Sequence, residues 1–289
     1  MRRLISILVM ATAMMVLGAC PGGGPAQPRV SKISRDDGES IAITYDGSKI
    51  ASAKTTLADG TVVSNATYTY KGDKIASITT QVTNGPAATR SFTYVDQGLS
   101  TVTITQDGDT ETLTYTYADG RVSHMHENRT AQDGTIDDYN FDYVYKDGML
   151  TKVNEIYVYT ISGVSSPQTT ASLDYTYDKN NRLTSMKMTV SDGTTATATY
   201  AYDGSGRLST VTYAQDDHGQ DDATYSVQYA DDGKVSKVTQ TVPSTGALMG
   251  TWTYTYENGD AAGFVVTPKD PLRNNIANFS NSIRHERVA

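Results

Sequence analysis

Histidine and acidic residues supply the few side-chain groupings of this sequence that could do chemistry. His124, His126 and Glu127 fall within four consecutive positions. If this segment is a β-strand, His124 and His126 lie on the same face, because side chains alternate along a strand. Two imidazoles there could bind Zn²⁺ if a neighbouring strand gave a third ligand, and a solvent-exposed strand face is the alternative. A metal-dependent enzyme is therefore one functional alternative.

Two acidic segments could offer oxygen ligands to Ca²⁺, which is the one cofactor that the sequence suggests. Neither has the full spacing of a calcium loop, and aspartate is also common in hairpin turns for backbone reasons. The sequence contains no Gly-x-Ser-x-Gly, Gly-Lys-Ser/Thr or His-Glu-x-x-His motif. We therefore expect a protein that is not an enzyme. The acidic segments contain Asp107, Asp109 and Glu111, and Asp216, Asp217, Asp221 and Asp222.

Tyrosine dominates the aromatic residues, with 20 Tyr against 4 Phe and 1 Trp. Most of these tyrosines belong to a repeated motif, and we expect them to form the core. Aromatic side chains outside the motif could instead contact a ligand, because their flat apolar faces make adaptable contacts. The candidate ligand-binding residues are Tyr139, Tyr157, Tyr159, Tyr213, Tyr225 and Trp252.

The N-terminal segment has the features of a lipoprotein signal. Arg2 and Arg3 precede an apolar run over residues 4–17, which is typical of a secretory signal peptide. The tetrapeptide that ends in Cys20, Leu-Gly-Ala-Cys, resembles the lipobox of bacterial lipoproteins. That resemblance implies cleavage after residue 19 and lipidation of Cys20, the single cysteine of the chain. An ordinary signal peptide is the alternative.

The segment after the cysteine predicts a tether and a location. Residues 20–28 are rich in Gly and Pro, which disfavour a helix or a sheet interior. Pro21, and not aspartate, follows the cysteine, and among lipoproteins of this kind that favours the outer membrane, in either leaflet. Loss of the signal peptide removes two arginines and changes the formal charge from −8 to −10. Such a charge repels nucleic acid, so the expected partners are a membrane through the lipid anchor and a polysaccharide or an envelope protein.

Nine copies of one motif organise residues 29–267. An aromatic or apolar residue, one spacer and a tyrosine recur, and a turn, usually a basic residue and an aliphatic residue follow. Asp-Gly or Asn-Gly pairs, which favour two-residue hairpin turns, lie between these turns. The pattern predicts about 18 antiparallel strands, two for each repeat. The nine motif tyrosines are Tyr45, Tyr70, Tyr94, Tyr117, Tyr145, Tyr177, Tyr202, Tyr229 and Tyr256.

Alternation along the strands predicts two different faces. A two-residue turn at Asp119-Gly120 would pair Tyr117 with Val122 and Tyr115 with His124. One face then carries tyrosine and aliphatic residues, and the other carries Thr and Ser. The next aliphatic residue, Met125 in this repeat, falls on the Thr and Ser face unless a β-bulge shifts it. A bulge and a sheet that is apolar on both faces are the two alternatives.

Two family resemblances follow from these motifs. The stretch Tyr-x-Tyr-Asp-x-x-Gly-Arg-Leu-x-x-Val over residues 200–211 resembles the tyrosine-aspartate (YD) repeat of Rhs-type toxin shells and teneurins. That repeat implies hairpins in a long spiralling sheet. Lipobox, tether and hairpins together resemble a group of Gram-negative lipoproteins classed as a domain of unknown function with a porin-like fold. This second resemblance implies an antiparallel meander curled into a barrel-like body, and it implies no catalytic residues.

We therefore expect an all-β antiparallel meander of about 18 strands, curled into a porin-like barrel because closure removes exposed sheet edges. An open or spiralling single sheet is the alternative, and residues 268–289 are a polar C-terminal tail. An integral pore is not expected, since segments such as 194–199 lack the alternating apolar residues of a lipid-facing band.

The expected function is a non-catalytic binding or scaffold module that recognises a glycan or a protein. The alternatives are an envelope hydrolase or metal-dependent enzyme, and a carrier of a small apolar ligand in the barrel lumen. A long spacing between Tyr145 and Tyr177 predicts an inserted loop at residues 162–168. Loops of irregular length on a regular scaffold are frequent binding sites.

Overall fold

The structure, a computed structural model, describes residues 27–215 and 222–259. These residues form β-strands and turns, and none of them lies in a helix that could cross a membrane. The strands, in chain order, are β1 (Gln27–Arg35), β2 (Ser40–Asp46), β3 (Lys49–Thr56), β4 (Val62–Lys71), β5 (Lys74–Val82), β6 (Ala88–Val95), β7 (Gly98–Gln106), β8 (Asp109–Ala118), β9 (Arg121–Thr130), β10 (Ile136–Lys146), β11 (Met149–Ile161), β12 (Val164–Ser165), β13 (Thr169–Tyr177), β14 (Leu183–Val190), β15 (Thr195–Tyr202), β16 (Leu208–Gln215), β17 (Ala223–Tyr229), β18 (Val235–Thr241) and β19 (Leu248–Gly259).

The strands form one closed antiparallel ring. Consecutive strands pair along the chain, and β11 pairs with β13 as well as with the two-residue strand β12. The ring closes because β1 pairs with both β19 and β2. Eighteen strands therefore make a barrel, which confirms the predicted all-β meander and its closure. Strand β1 begins at Gln27, so it includes the last two residues of the predicted tether.

A β-bulge follows every motif tyrosine turn and settles the question of the two faces. Tyr117 pairs with Val122 as predicted, but Ser123 is an extra residue, so Tyr115 pairs with Met125 and not with His124. The predicted pairing of Tyr115 with His124 was wrong because this bulge adds one residue to β9. The bulge brings Met125, which is 4% exposed, to the same face as the tyrosines. The residues bulged in the nine repeats are Ala51, Ala76, Ser100, Ser123, Thr151, Thr184, Ser209, Ser236 and Ser31.

The core lies on the inner face of the barrel, which carries the tyrosines and aliphatic residues. Val30 and Val211 are 0% and 1% exposed on this face. A wide water-filled lumen would leave such side chains accessible, so the interior is packed at these positions. The outer face carries mostly Thr and Ser, which form cross-strand hydroxyl pairs such as Thr69 with Ser77, at 2.6 Å. The inner face of the sheet is thus mostly apolar and the outer face mostly polar.

We call the end of the barrel that holds the motif tyrosine turns the tyrosine end, and the opposite end the variable end. At the tyrosine end, the hydroxyl of a motif tyrosine donates to a backbone carbonyl of the preceding strand: Tyr70 to Ile50 at 3.0 Å, for example. At six of the motif tyrosines, a basic residue one position before the accepting residue also covers the ring, as Lys49 covers that of Tyr70 at 5.4 Å. The tyrosines with such hydroxyl bonds are Tyr45, Tyr70, Tyr117, Tyr145, Tyr177, Tyr202, Tyr229 and Tyr256.

Candidate functional site

The six candidate aromatic residues lie on the inner face of the barrel. Tyr139 and Tyr213 are 2% and 3% exposed, so they are core residues and present no surface to a ligand. Trp252 packs against three buried valines of β17 and β18, and Tyr225 packs against the same cluster. The guanidinium of Arg35 lies 5.7 Å from the ring centre of Trp252. These residues therefore stabilise the sheet, and the outer face gains no aromatic platform from them.

Aromatic rings on β10 and β11 form a ladder that runs towards the variable end. Tyr139 and Tyr157 stack with ring centres 4.4 Å apart, and Phe141 lies 6.1 Å from Tyr139. The ring of Tyr159 lies 6.2 Å from that of Tyr157. Stacked cross-strand aromatic pairs hold neighbouring strands together. The last ring, Tyr159, is 39% exposed, so the ladder connects the core to the surface at the variable end.

Charged residues accompany this ladder on the inner face. The Tyr157 hydroxyl donates to Oδ1 of Asp137 at 2.8 Å, and Asp137 pairs in register with Arg129. Arg129 donates to Asp109 at 2.8 Å, and this bond, with one from the Gln132 backbone N–H, lowers the pKa of the Asp109 carboxyl. Polar groups next to a core are uncommon unless they are bonded. The inner face of β8–β11 thus carries hydrogen-bonded charged groups beside its aromatic rings.

Glu155 is the most perturbed acid of this region. It lies between Phe141 of β10 and Ala171 of β13 in the strand register. Desolvation by burial raises the pKa of its carboxyl to about 7, because the charged form loses hydration there. The group therefore exchanges a proton near neutral pH. One such carboxyl can carry a proton, but general acid–base catalysis also needs a positioned substrate or partner group.

The β11–β12 hairpin carries Val164, the most exposed large apolar side chain among the described residues, and Leu248 of β19 follows at 60%. Val164 is 73% exposed and Ile161 is 48% exposed. The loop predicted at residues 162–168 is a tight turn followed by β12, and the turn has positive φ angles at Ser162 and Gly163. The Ser166 backbone N–H donates to the carbonyl of Tyr159 at 2.8 Å, which orders the end of the hairpin. An ordered apolar projection at a barrel rim is typical of an interaction surface.

The predicted histidine pair lies on the outer face of β9. Nδ1 of His124 is 2.8 Å from Oδ1 of Asp142, and Nε2 of His126 is 2.7 Å from Oδ2 of Asp138. Each imidazole thus has its own carboxylate on β10. Asn140 also donates to Asp138, at 2.9 Å. Within residues 27–215 and 222–259, no three His, Cys, Asp or Glu side chains converge as metal ligands.

The acidic segments divide between described and undescribed residues. Asp216, Asp217 and Asp221 lie outside the described residues, as does Cys20. Asp222 accepts a hydrogen bond from the Gln215 backbone N–H at 2.9 Å, which connects the facing ends of β16 and β17. Asp107 occupies a hairpin turn with a positive φ of 49°. The described acids of both segments therefore lie in turns and at strand ends. Glu111 lies opposite Arg129 in the sheet.

Sequence reasoning missed Asp137, Glu155 and Ile161, whereas Val164 lies within the loop predicted at residues 162–168. Alternation from Tyr139 and Tyr157 places Asp137 and Glu155 on the tyrosine face, so the strand pattern itself held that signal. The long spacing between Tyr145 and Tyr177 was the signal for Val164, but the exposure of Ile161 had none, because it depends on how far β11 extends beyond its neighbours.

Comparison with known proteins gives one short family match and several distant structural likenesses. A model of the RHS repeat matches residues 177–218, which agrees with the YD-repeat resemblance of the sequence. No curated protein matches the chain. A porin-like protein of Bacteroides uniformis is 15% identical, with a TM-score of 0.38, over 81% of this chain and 99% of that chain.

Two further structures are similar at the same distant level. A porin-like protein of Bacteroides vulgatus is 16% identical, with a TM-score of 0.38, over 79% of this chain and 98% of that chain. The Tc holotoxin pore of Photorhabdus luminescens is 12% identical, with a TM-score of 0.33, over 76% of this chain and 14% of that chain.

Proposed function

We propose that this chain is a non-catalytic scaffold barrel of the bacterial outer envelope, anchored through lipidated Cys20, that binds a protein partner at its β11–β12 hairpin. The exposure of Val164 and Ile161 at one projecting hairpin is the observation that carries the proposal. Large apolar side chains in water are costly unless a partner covers them. The barrel supplies the rigid support on which such a hairpin can be presented.

A protein partner fits this surface better than a glycan does. Sugar recognition by stacking needs exposed aromatic faces, and the candidate aromatic residues lie on the inner face. Tyr159 is the most exposed of them, at 39%. The hairpin also adjoins Asp137 and Asp138, which pair with Tyr159 and Val158 of β11. An apolar surface beside acidic residues is complementary to a partner segment that combines apolar and basic side chains.

Site-specific photocrosslinking in the envelope of intact cells tests the partner. A photoreactive amino acid at Val164 should give a discrete crosslinked protein band. The matched control is the same amino acid at Val144, which is 44% exposed but lies at the tyrosine end. Ile161→Asp should abolish the Val164 band without changing the circular dichroism spectrum of the barrel.

Equal crosslinking at both positions, or none at Val164, would contradict the proposal. A glycan ligand would show itself differently, as retardation of the protein in polysaccharide-containing gels that Tyr159→Ala abolishes.

The anchor is tested separately, because Cys20→Ser should move the protein from the membrane fraction to the soluble fraction and leave the barrel folded.

A further inference from the structure

The contact between β19 and β1 has every feature of a repeat hairpin except the covalent turn. Tyr256 pairs with Val30, and Ser31 is the extra residue of the bulge. The Ser31 hydroxyl bonds to the Thr255 carbonyl at 3.4 Å, as the bulged Ser236 bonds to the Gln228 carbonyl at 3.2 Å. Strand β1 therefore stands in the position of the second strand of the ninth repeat.

The other side of β1 reproduces the contact between successive repeats. The Val30 carbonyl accepts the hydroxyl of Tyr45 at 2.7 Å, and the guanidinium of Arg29 lies 3.9 Å from the centre of the Tyr45 ring. Ile50 and Lys49 have the same two relations to Tyr70. Both edges of β1 are thus recognised by the contacts that join any two repeats.

The sequence on the two sides of the seam completes the motif. Tyr256-Glu-Asn-Gly at the end of β19, followed by Arg29-Val30 of β1, has the order of Tyr117-Ala-Asp-Gly-Arg121-Val122 in the fourth repeat. Glu257 pairs with Arg29 in the register, as Ala118 pairs with Arg121. The nine repeats form a ring whose covalent break falls in a motif tyrosine turn.

We propose that the slot between β19 and β2 is a strand-binding site for an extended segment of the pattern basic, aliphatic, small, any residue, aliphatic. The N-terminal strand supplies this segment as Arg29-Val-Ser-Lys-Ile33. Residues 29–33 of the chain therefore bind in the slot of the same chain, and this binding closes the barrel.

The first four positions of the pattern each have a physical reason in the slot. Arg29 covers the Tyr45 ring, forms an ion pair with Glu257 at 2.9 Å and donates to the Gly47 carbonyl at 2.6 Å. Val30 is 0% exposed, so a charge there would be buried without a partner. Position 31 must be small, because the bulge leaves it unpaired. Lys32 is exposed and therefore unconstrained.

Cleavage of the turn between β1 and β2 in the folded full chain tests the site. A recognition sequence for a specific protease, inserted between Asp36 and Asp37, both exposed, allows β1 to be cut from β2 after folding. We expect the cut strand to remain with the barrel during gel filtration at micromolar concentration. A fluorescent synthetic peptide of residues 27–35 should then exchange into the slot in mild denaturant and remain bound after the denaturant is removed.

Matched peptides separate recognition of the pattern from nonspecific strand addition. Lys32→Ala should bind like the parent peptide, whereas Val30→Asp should show at least a hundredfold weaker binding and Arg29→Ala an intermediate loss. Dissociation of the cut strand at micromolar concentration, with or without unfolding of the barrel, would overturn the proposal. Equal binding of the Val30→Asp and parent peptides would overturn it too, because the backbone alone would then hold the strand. The photocrosslinking result at Val164 does not depend on these outcomes.

Discussion

The two ends of the barrel follow different structural rules. At the tyrosine end, the same hydroxyl–carbonyl bond recurs at eight motif tyrosines, and basic residues cover the rings of seven motif tyrosines. At the variable end, contacts such as Arg129 with Asp109 and Tyr157 with Asp137 occur once each. Repetition at one end specifies how consecutive hairpins join, while the other end is free to vary in length and chemistry. We infer that the tyrosine end determines the shape and that the variable end carries the binding function.

The largest expected effect is at the seam of the tyrosine end. Val30→Asp buries a charge at a position that is 0% exposed, and an unpaired buried charge costs about 3–5 kcal/mol. The free energy of unfolding from urea denaturation should fall by that amount. Lys32→Asp is the control, because this residue is exposed on the same strand. Similar losses in both variants would mean that the seam is not specifically packed.

Glu155, on the inner face of β11, gives the next prediction. Its folded pKa of about 7 lies above the ordinary value of 4.5, so the native state holds the proton that the unfolded state releases between these pH values. The stability from this group is complete below pH 4.5 and is lost as the pH rises through 7.

Glu155→Gln should therefore reduce the loss of stability between pH 5 and pH 8, by up to about 3 kcal/mol at about 1.4 kcal/mol for each pKa unit. Urea denaturation at the two pH values measures the difference. Asp73→Asn is the control, because the side chain of Asp73 is 85% exposed. An unchanged pH dependence in the Glu155 variant would show that its carboxyl is hydrated in the folded state.

A smaller effect distinguishes the motif tyrosine of a repeat from the tyrosine two residues before it, and two repeats supply the comparison. Tyr229→Phe removes the bond to the Leu208 carbonyl, which is 2.8 Å long, and should cost about 1 kcal/mol. Tyr68→Phe should cost nothing or stabilise the protein, because the buried Tyr68 hydroxyl has no hydrogen-bond partner among the described residues. Thermal denaturation of the two variants makes the comparison. An equal loss in both would contradict the special role of the motif tyrosines.

Much of the fold was predictable because the repeat determines it. The pair Tyr117 with Val122 followed from the Asp119-Gly120 turn, and nine repeats gave the number of strands in the ring. The bulge at Ser123 was an open alternative, since a small residue after an aliphatic one is common in any strand. The apolar residue Met125 decides the question only once the inner face is known to be packed.

The candidate site was less predictable, for two physical reasons. Tyr139 and Tyr213 were outside the motif, but alternation with the bulge placed them in the core. The role of Arg29 depends on contacts with Tyr45 and with Glu257, a residue 228 positions away. A pattern read along the chain cannot show that its first strand completes its last repeat.

The smallest expected effect comes from moving the break in the ring. A circular permutant that joins Gly259 directly to Arg29 creates a motif tyrosine turn, and opening the chain between Asp119 and Gly120 removes an equivalent one. Its free energy of unfolding should stay within about 1 kcal/mol of the parent, because one short loop replaces another of the same length. Opening the same ring between Ala198 and Thr199, inside β15, is the control and should prevent folding, because it divides a central strand beside a residue that is 1% exposed. If the Asp119 permutant fails as badly as this control, the turns of the tyrosine end are not equivalent, and the comparison between a repetitive and a variable end does not hold.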